Sequence, residues 1–522
     1  MESLVLFTIC LMTIENVRSL PVEMPTATYL QQRAQIVNGE ANLRVGGSIQ
    51  LSAREQQVNR LLMVAKGKEI NSSRTTNGPS FLPSIHFFHG KDLIEESEVF
   101  QIIKTMPKGG GLHLHDCSMA DITWLVKTVT YMDHCYMCTD QNNHIKFHFY
   151  QTPPSNPGCP WKLIATERQN ASDKEKFDQM LYNSMSLIVP DPVKTYPTKD
   201  VVWKALYRVW DVANGLINYE PVFGKYFHQA LKEFHEDNVQ YLETRALLPV
   251  LYNLDGSTID NRTFVMELYK QNLDQFVKDH PDFTGGRIIR SGYKFVSTSD
   301  VLQQIKESIA MLQQYPQLFA GYDLMGQEDH GIPLIEYISA IVYPSQQNIT
   351  LPYFFHAGET NWEGTPTDNN LIDAVLLNTS RIGHGYALTK HPETMKLVKS
   401  KGIAIEVNPI SNQVLKLVDD LRNHPASSLL AEDFPVVISS DVPALWGARG
   451  LSYDFYMAFM GMTGADTDLA MLKKLAINSL QYSAMSPSEK RTAITLWQNK
   501  WEQFIDRILG DEPPAVPFVG KQ

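Results

Sequence analysis

Basic runs are missing from this chain. Its 522 residues carry 46 Lys and Arg against 57 Asp and Glu, a formal net charge of −11. A nucleic-acid polymer or an anionic membrane surface is therefore a poor partner, and a small neutral substrate fits better. Beyond the first twenty residues, no stretch reaches the roughly 20 apolar residues that cross a bilayer. Internal repeats and low-complexity tracts are absent too, which excludes solenoid and fibrous architectures. Cysteine is scarce, at five. Cys135-Tyr-Met-Cys138 has no second cysteine pair or flanking histidine pair to complete a structural zinc site. One disulfide is the simpler reading in an oxidising compartment, and we pair Cys138 with Cys159.

That compartment is suggested by the N-terminus. An apolar run from Leu4 to Ile14 is followed by Val17-Arg18-Ser19, whose small residue suits signal-peptidase cleavage. Residues 1–19 read as a secretory signal peptide, although Glu2 stands where a positive residue is usual. Five N-x-[ST] sequons, at Asn71, Asn170, Asn261, Asn348 and Asn378, add weight to a secreted, extracellular glycoprotein.

Residues 20–100 are polar, helix-forming stretches broken by a loop at 71–83. Residues 130–185 hold the clustered cysteines and the Pro-rich piece 152–160, which reads as an irregular, disulfide-stapled insertion. Eight short apolar or β-branched runs follow one another at 111–115, 239–246, 286–291, 319–326, 351–358, 381–386, 403–408 and 435–441. Amphipathic helical stretches such as 299–315 and 369–377 separate most of them. This alternation predicts an α/β fold, a (β/α)8 TIM-type barrel over 101–510, with the insertion inside its first β/α unit and a tail at 511–522.

The active site of such a barrel lies at the C-terminal strand ends. The first run closes with His113-Leu-His115-Asp116, the fifth with His356-Ala-Gly-Glu359, the sixth with Gly383-His384-Gly385 and the eighth with Ser439-Ser440-Asp441. Residues i and i+2 of a strand share a face, so His113 and His115 both point inward. An H-x-H pair alone arises by chance; four such residues at matching strand ends predict a shared metal. Nitrogen-rich ligation with one carboxylate (His113, His115, His356, Asp441) suits one zinc ion per subunit. Zinc with an open position lowers the pKa of bound water to about 7. Attack on an aromatic amidine carbon also needs the neighbouring ring nitrogen protonated, and Glu359 is placed to do it. A carboxylate that merely orients a histidine is the alternative for Glu359. His384, between glycines, reads as the group that holds the attacking hydroxide and shares its proton, with a satisfied core histidine as the alternative.

The segments Met106–Asp116, His356–Glu359, Ile382–Gly385, Asn408–Asn412 and Ser439–Asp441 resemble those of the secreted adenosine deaminase-related growth factors, and the likeness runs from about residue 30 to 510. The resemblance implies zinc on His113, His115, His356 and Asp441, with Glu359 as proton donor and His384 as proton acceptor. It also implies Asp116 as a nucleoside-contacting carboxylate, Gly326 as backbone beside the purine edge and Trp203 along the sugar. A homodimer formed through N-terminal helices (20–100) and a receptor-binding insertion (130–185) for a cell-surface receptor or glycosaminoglycan belong to the same expectation. A cytidine-deaminase-type zinc site is excluded, because no H-x-E with a later P-C-x-x-C is present.

Two positions depart from the family pattern. Val442 stands where a second aspartate usually hydrogen-bonds a purine ring nitrogen, and Tyr293 where a histidine usually lies near the substrate. Losing such a buried contact costs on the order of 1–3 kcal/mol. The sequence thus predicts a zinc-dependent hydrolase of purine nucleosides, turning adenosine or 2'-deoxyadenosine into inosine or 2'-deoxyinosine plus ammonia. Two alternatives stay open: a deaminase of another, guanosine-like nucleoside, and a growth-factor-like ligand with vestigial catalysis.

Overall fold

The computed structural model describes residues 25–510. The expected signal peptide and C-terminal tail lie outside the described residues. The first helix, Thr26–Leu43, has no buried residue, and up to Asn42 it belongs to a unit separate from the rest of the chain. Tyr29, Leu30 and Ile36 on it are more than half exposed.

The remaining unit begins with three helices, Ala53–Ser73, Phe87–Glu95 and Glu98–Thr105. A reciprocal capping box starts the first of them: Ser52 accepts from the Glu55 amide while Glu55 accepts from the Ser52 amide. Eight parallel strands follow. They are β1 (Gly109–His115), β2 (Val239–Ala246), β3 (Gly285–Tyr293), β4 (Phe319–Met325), β5 (His356–Ala357), β6 (Arg381–His384), β7 (Ala404–Val407) and β8 (Val436–Ile438). All eight fall on the runs read from the sequence, β2 to the residue. The strands β1 to β4 form one parallel sheet and β5 to β8 a second, each paired in chain order. Backbone bridges join the two sheets at both seams. On one side Tyr322 pairs with Tyr353, and on the other Leu114 pairs with Asp441. The Asp441 amide donates to the His113 carbonyl and the His115 amide to the Asp441 carbonyl, both at 3.0 Å. The eight strands therefore make a ring, and every residue of β1, β2, β4 and β6 is buried.

The insertion between β1 and β2 is more regular than its composition suggested. Cys135–Thr139 pairs antiparallel with Ile145–Phe149 and with Lys162–Leu163. Asp140 makes this possible by accepting from the Asn142 and His144 amides, while Asn143 takes φ 62°. Such a side-chain turn closes a hairpin without a glycine. The Pro-rich piece is only the link to the third strand. The disulfide joins Cys138 to Cys159 with Cα atoms 5.3 Å apart, leaving Cys117 and Cys135 free. Two long helices, Lys199–Ile217 and Glu220–Glu236, then return the chain to β2. All five sequon asparagines are exposed.

Candidate active site

The C-terminal ends of β1, β5, β6 and β8 bring His113, His115, His356, His384 and Asp441 together. The ligand atoms of His113, His115 and His356 lie within 4.8 Å of one another, as do those of His113, His384 and Asp441. Asp441 Oδ1 is 3.1 Å from His115 Nε2 and 3.5 Å from His113 Nε2. The close approach of β6 depends on Gly383, where a Cβ would sit 3.0 Å from the His113 ring. His384 and Asp441 both adopt positive φ, 62° and 59°. Left-handed backbone at non-glycine residues costs of order 1–3 kcal/mol and persists where surrounding structure fixes it, often at functional sites.

Two of the imidazoles are aimed by a carboxylate behind them. His113 Nδ1 is 2.7 Å from Glu406 Oε2, and His356 Nδ1 is 2.7 Å from Asp323 Oδ2. These contacts leave the Nε2 lone pairs facing the common centre. Glu406 and Asp323 are in turn held by Arg245, which donates to both at 2.6 and 2.9 Å, and Glu406 also by Arg381 at 2.6 Å. Asp441 keeps one oxygen for the centre because Ser411 donates to the other at 2.7 Å. Neither these carboxylates nor Arg245 and Arg381 were singled out from the sequence. The available signal was charge inside apolar strands, Glu406 within β7, Asp323 within β4 and Arg245 within β2.

The donor set fits zinc. His113 Nε2 is buried without a hydrogen-bond partner, a costly state that ligation relieves. Burial lowers the His356 pKa to about 3 despite Asp323, and lowers His115 despite Asp441, so both rings are neutral at pH 7. Burial would raise Asp441, but its contacts with His113 and His115 hold it well below the usual carboxylate range. Neutral imidazoles and an ionised carboxylate are the forms that ligate a cation.

Glu359 follows β5 and is fixed through its backbone. Its amide donates to Glu328 Oε2 at 2.9 Å, and its carbonyl accepts from Lys199 Nζ at 2.9 Å. Its side chain is buried with Oε1 unpartnered, 3.7 Å from His384 Nε2. Burial, reinforced by Asp441 and Glu328, pushes its pKa well above the ordinary value. A buried carboxyl raised in this way is protonated near neutrality and poised as a proton donor.

The proton position on His384 follows from a chain of hydrogen bonds. His424 Nδ1 accepts from the Ala426 amide at 3.0 Å, so its proton is on Nε2, 2.8 Å from Asn412 Oδ1. Asn412 therefore turns Nδ2 toward His384 Nδ1 at 3.1 Å. With Nδ1 accepting, the neutral His384 ring carries its proton on Nε2 and directs it into the site. Burial, then His113, holds the His384 pKa well below its ordinary value.

A narrow cavity in front of this cluster is lined by His115, Trp203, Leu206, Trp210, Met325, Gly326, His356, Glu359, His384, Leu415, Asp441 and Val442. Trp203 and Gly326, expected near a nucleoside, are thus in the lining. The Trp203 indole N–H is buried and unpartnered, and at Gly326 a Cβ would meet the Phe295 ring at 2.8 Å. Val442 lines the same cavity at 1% exposure. Asp116 and Tyr293 are not part of it. Asp116 lies in the wall of a neighbouring cavity, accepting from Tyr269 at 2.9 Å, and burial raises its pKa to about 6. Tyr293, the last residue of β3, is close enough for Cys117 and Asp116 to add to the burial that raises its phenol pKa.

A ring of parallel strands carrying a buried His/Asp cluster beside a buried carboxyl of raised pKa defines the class as a hydrolytic enzyme. Comparison with known proteins is specific. The adenosine deaminase family profile matches residues 189–497, and the adenosine/AMP deaminase N-terminal profile matches residues 5–103. Adenosine deaminase 2 of Sus scrofa is 42% identical over 482 residues, covering 92% of this chain and 94% of that protein. Adenosine deaminase 2 of Homo sapiens is 43% identical, covering 91% and 93%, and an adenosine deaminase of Phlebotomus duboscqi 44%, covering 92% of each. Among solved structures, an Arabidopsis N6-mAMP deaminase superposes with TM-score 0.55 at 17% identity, covering 76% of this chain and 99% of that one. An amidohydrolase from Burkholderia ambifaria with bound Zn does so at 0.50 and 16%, covering 79% and 95%. The chain belongs to the adenosine deaminase family and is an aminohydrolase.

Proposed function

We propose that this protein is a secreted, zinc-dependent deaminase that converts adenosine or 2'-deoxyadenosine and water into the inosine nucleoside and ammonia. The observation that supports it most is a zinc-suited donor set beside the buried Glu359, whose carboxyl pKa burial raises. His113, His115, His356 and Asp441 would hold the ion. When bound, zinc supplies a Lewis acid that makes water nucleophilic near neutral pH.

The chain's own residues do the rest. Glu359 donates a proton to the purine ring nitrogen beside the amino-bearing carbon, which makes that carbon electrophilic. His384 donates its Nε2–H to the attacking oxygen and so holds it on line; the hydrogen-bond chain from His424 favours this orienting role over proton abstraction by that nitrogen. The Glu359 carboxylate left by the first transfer therefore takes up the water's protons, one restoring its own and one passing to the amino group that leaves as ammonia. The strand ends bury the reacting cluster, and Trp203 and Trp210 line the cavity in front of it. On this reading Asp116 and Tyr293, which lie outside the catalytic cavity, contact the sugar rather than the reacting carbon. A (β/α)8 barrel of the metal-dependent hydrolase kind is the architecture that fits these strands. The exposed sequons and the Cys138–Cys159 bond support an extracellular setting.

Incubation of purified protein with a panel of purine nucleosides, with ammonia release as the readout, tests this reading. Adenosine and 2'-deoxyadenosine are expected to be the best substrates. Release from guanosine alone would favour the second deaminase reading, for which Val442 is the supporting observation.

A further inference from the structure

A third group of histidine and carboxylate side chains converges far from the catalytic strand ends. His235 lies in the last turn of the helix Glu220–Glu236, and His280 caps the C-terminal end of the helix Arg262–Asp279. Asp282 follows in the turn leading to β3. Both helices run into the N-terminal ends of strands, at Val239 and Gly285, so this group sits at the opposite end of the strand ring from His113 and Asp441.

The geometry is that of a ligand set. The donor atoms of His235, His280 and Asp282 all lie within 4.8 Å of one another. His235 Nε2 is 2.8 Å from Asp282 Oδ2, and the two imidazole centroids are 4.6 Å apart. The backbone fixes their spacing: the His280 amide donates to the Phe276 carbonyl and the Phe283 amide to the His280 carbonyl, each at 2.8 Å. Phe276 packs against both imidazoles, at 4.3 and 5.8 Å, and gives the group an apolar floor. All three residues remain partly exposed on the other side, which leaves a path for an ion. The terminal carbonyls of two helices converge here, and helix C-termini favour positive charge. Positive charge is already recruited: Lys500 Nζ, from the helix Pro487–Leu509, lies 2.7 Å from Asp282 Oδ2.

We propose that His235, His280 and Asp282 form a second divalent transition-metal site, separate from the catalytic one. Two imidazoles with one carboxylate suit zinc, copper or nickel and disfavour magnesium and calcium, which prefer all-oxygen shells. Three protein ligands leave the fourth position to water. An ion there links the ends of two helices to the start of β3, at the face of such a ring that serves stability rather than catalysis. Lys500 is the resident competitor for Asp282, so metal binding displaces an ammonium and is weaker than at a closed structural site.

Titration of Zn2+ into the zinc-loaded enzyme, followed by calorimetry and thermal melting, tests the proposal. One further equivalent is expected to bind, with a rise in melting temperature. His235→Gln/His280→Gln loses this equivalent and the thermal gain while keeping ammonia release from adenosine. Lys500→Met tightens the second equivalent, by up to about fivefold if the displaced ion pair is worth what such pairs usually are. Uptake unchanged in the double variant, or no uptake beyond the catalytic equivalent, overturns the assignment. Because the readout is stoichiometry at the far end of the strand ring, failure here leaves the proposed deaminase activity standing. A zinc-edge anomalous map of the wild-type protein gives the same decision independently of how the variants fold: a second peak between His235 and Asp282 supports the site, and its absence in zinc-soaked crystals rejects it.

Discussion

Replacing Val442 by aspartate should improve the use of adenosine. Val442 follows Asp441 directly, is 1% exposed and lines the cavity shared by Glu359 and His384. The unprotonated ring nitrogens of a purine are acceptors, so a carboxyl at position 442 must be protonated to donate to one. The surroundings provide for that. Burial with Asp441 and Glu328 nearby already pushes Glu359 well above the ordinary carboxyl pKa, and an aspartate introduced at position 442 feels the same burial and the same charge on Asp441. A neutral, well-aligned hydrogen bond is worth about 0.5–1.5 kcal/mol net. Part of the valine's apolar contact is lost in exchange, so the expected gain in kcat/KM for adenosine is about twofold to tenfold. The assay is steady-state ammonia release from adenosine and from 2'-deoxyadenosine, with zinc content and melting temperature measured on the same preparations. A folded, zinc-loaded Val442→Asp protein whose adenosine kinetics match wild type would refute the account of position 442.

The other predictions concern the cluster itself. Glu359→Gln should lose at least about 100-fold in kcat while retaining its metal, since positioned proton transfer contributes about 10²–10⁴-fold; zinc content and single-turnover rate measure it. Asn412→Ala breaks the link between His424 and His384 Nδ1 and should lower kcat by about 10-fold to 100-fold with little change in KM, as loss of an orienting partner does; parallel loss of zinc would show a structural role instead. Asp116, raised to about 6 by burial, should be anionic at pH 7.5 and protonated at pH 5. A sugar hydroxyl donates better to the anion, so KM should rise as pH falls through about 6, and Asp116→Asn should flatten that dependence in KM measured from pH 5 to 8.

How much of this was legible beforehand follows the physics of each feature. The strands stood out because buried parallel strands read as short apolar runs, and the residues closing β1, β5, β6 and β8 stood out because chemistry-bearing side chains there have one common destination. The hairpin Cys135–Phe149 was hidden by its neighbour: the Pro-rich piece dominates the local composition, while the turn is made by the Asp140 side chain, which looks like any polar loop. Arg245, Glu406 and Asp323 were missed because their meaning is pairwise; each is an anomaly in its own strand, and only ring closure shows that they neutralise one another behind His113 and His356. The placement of Asp116 and Tyr293 beside, rather than within, the catalytic cavity depends on side-chain direction at strand ends, which spacing alone leaves open.

The central claim is that His113, His115, His356 and Asp441 share one ion that the reaction requires. Removing tightly bound metal with a strong chelator and returning zinc stoichiometrically, while following ammonia release from adenosine, tests it most directly. The account predicts no turnover in the stripped protein, recovery complete at one equivalent, and no recovery in His356→Ala. Full activity in the metal-free protein, or equal recovery in His356→Ala, would contradict it.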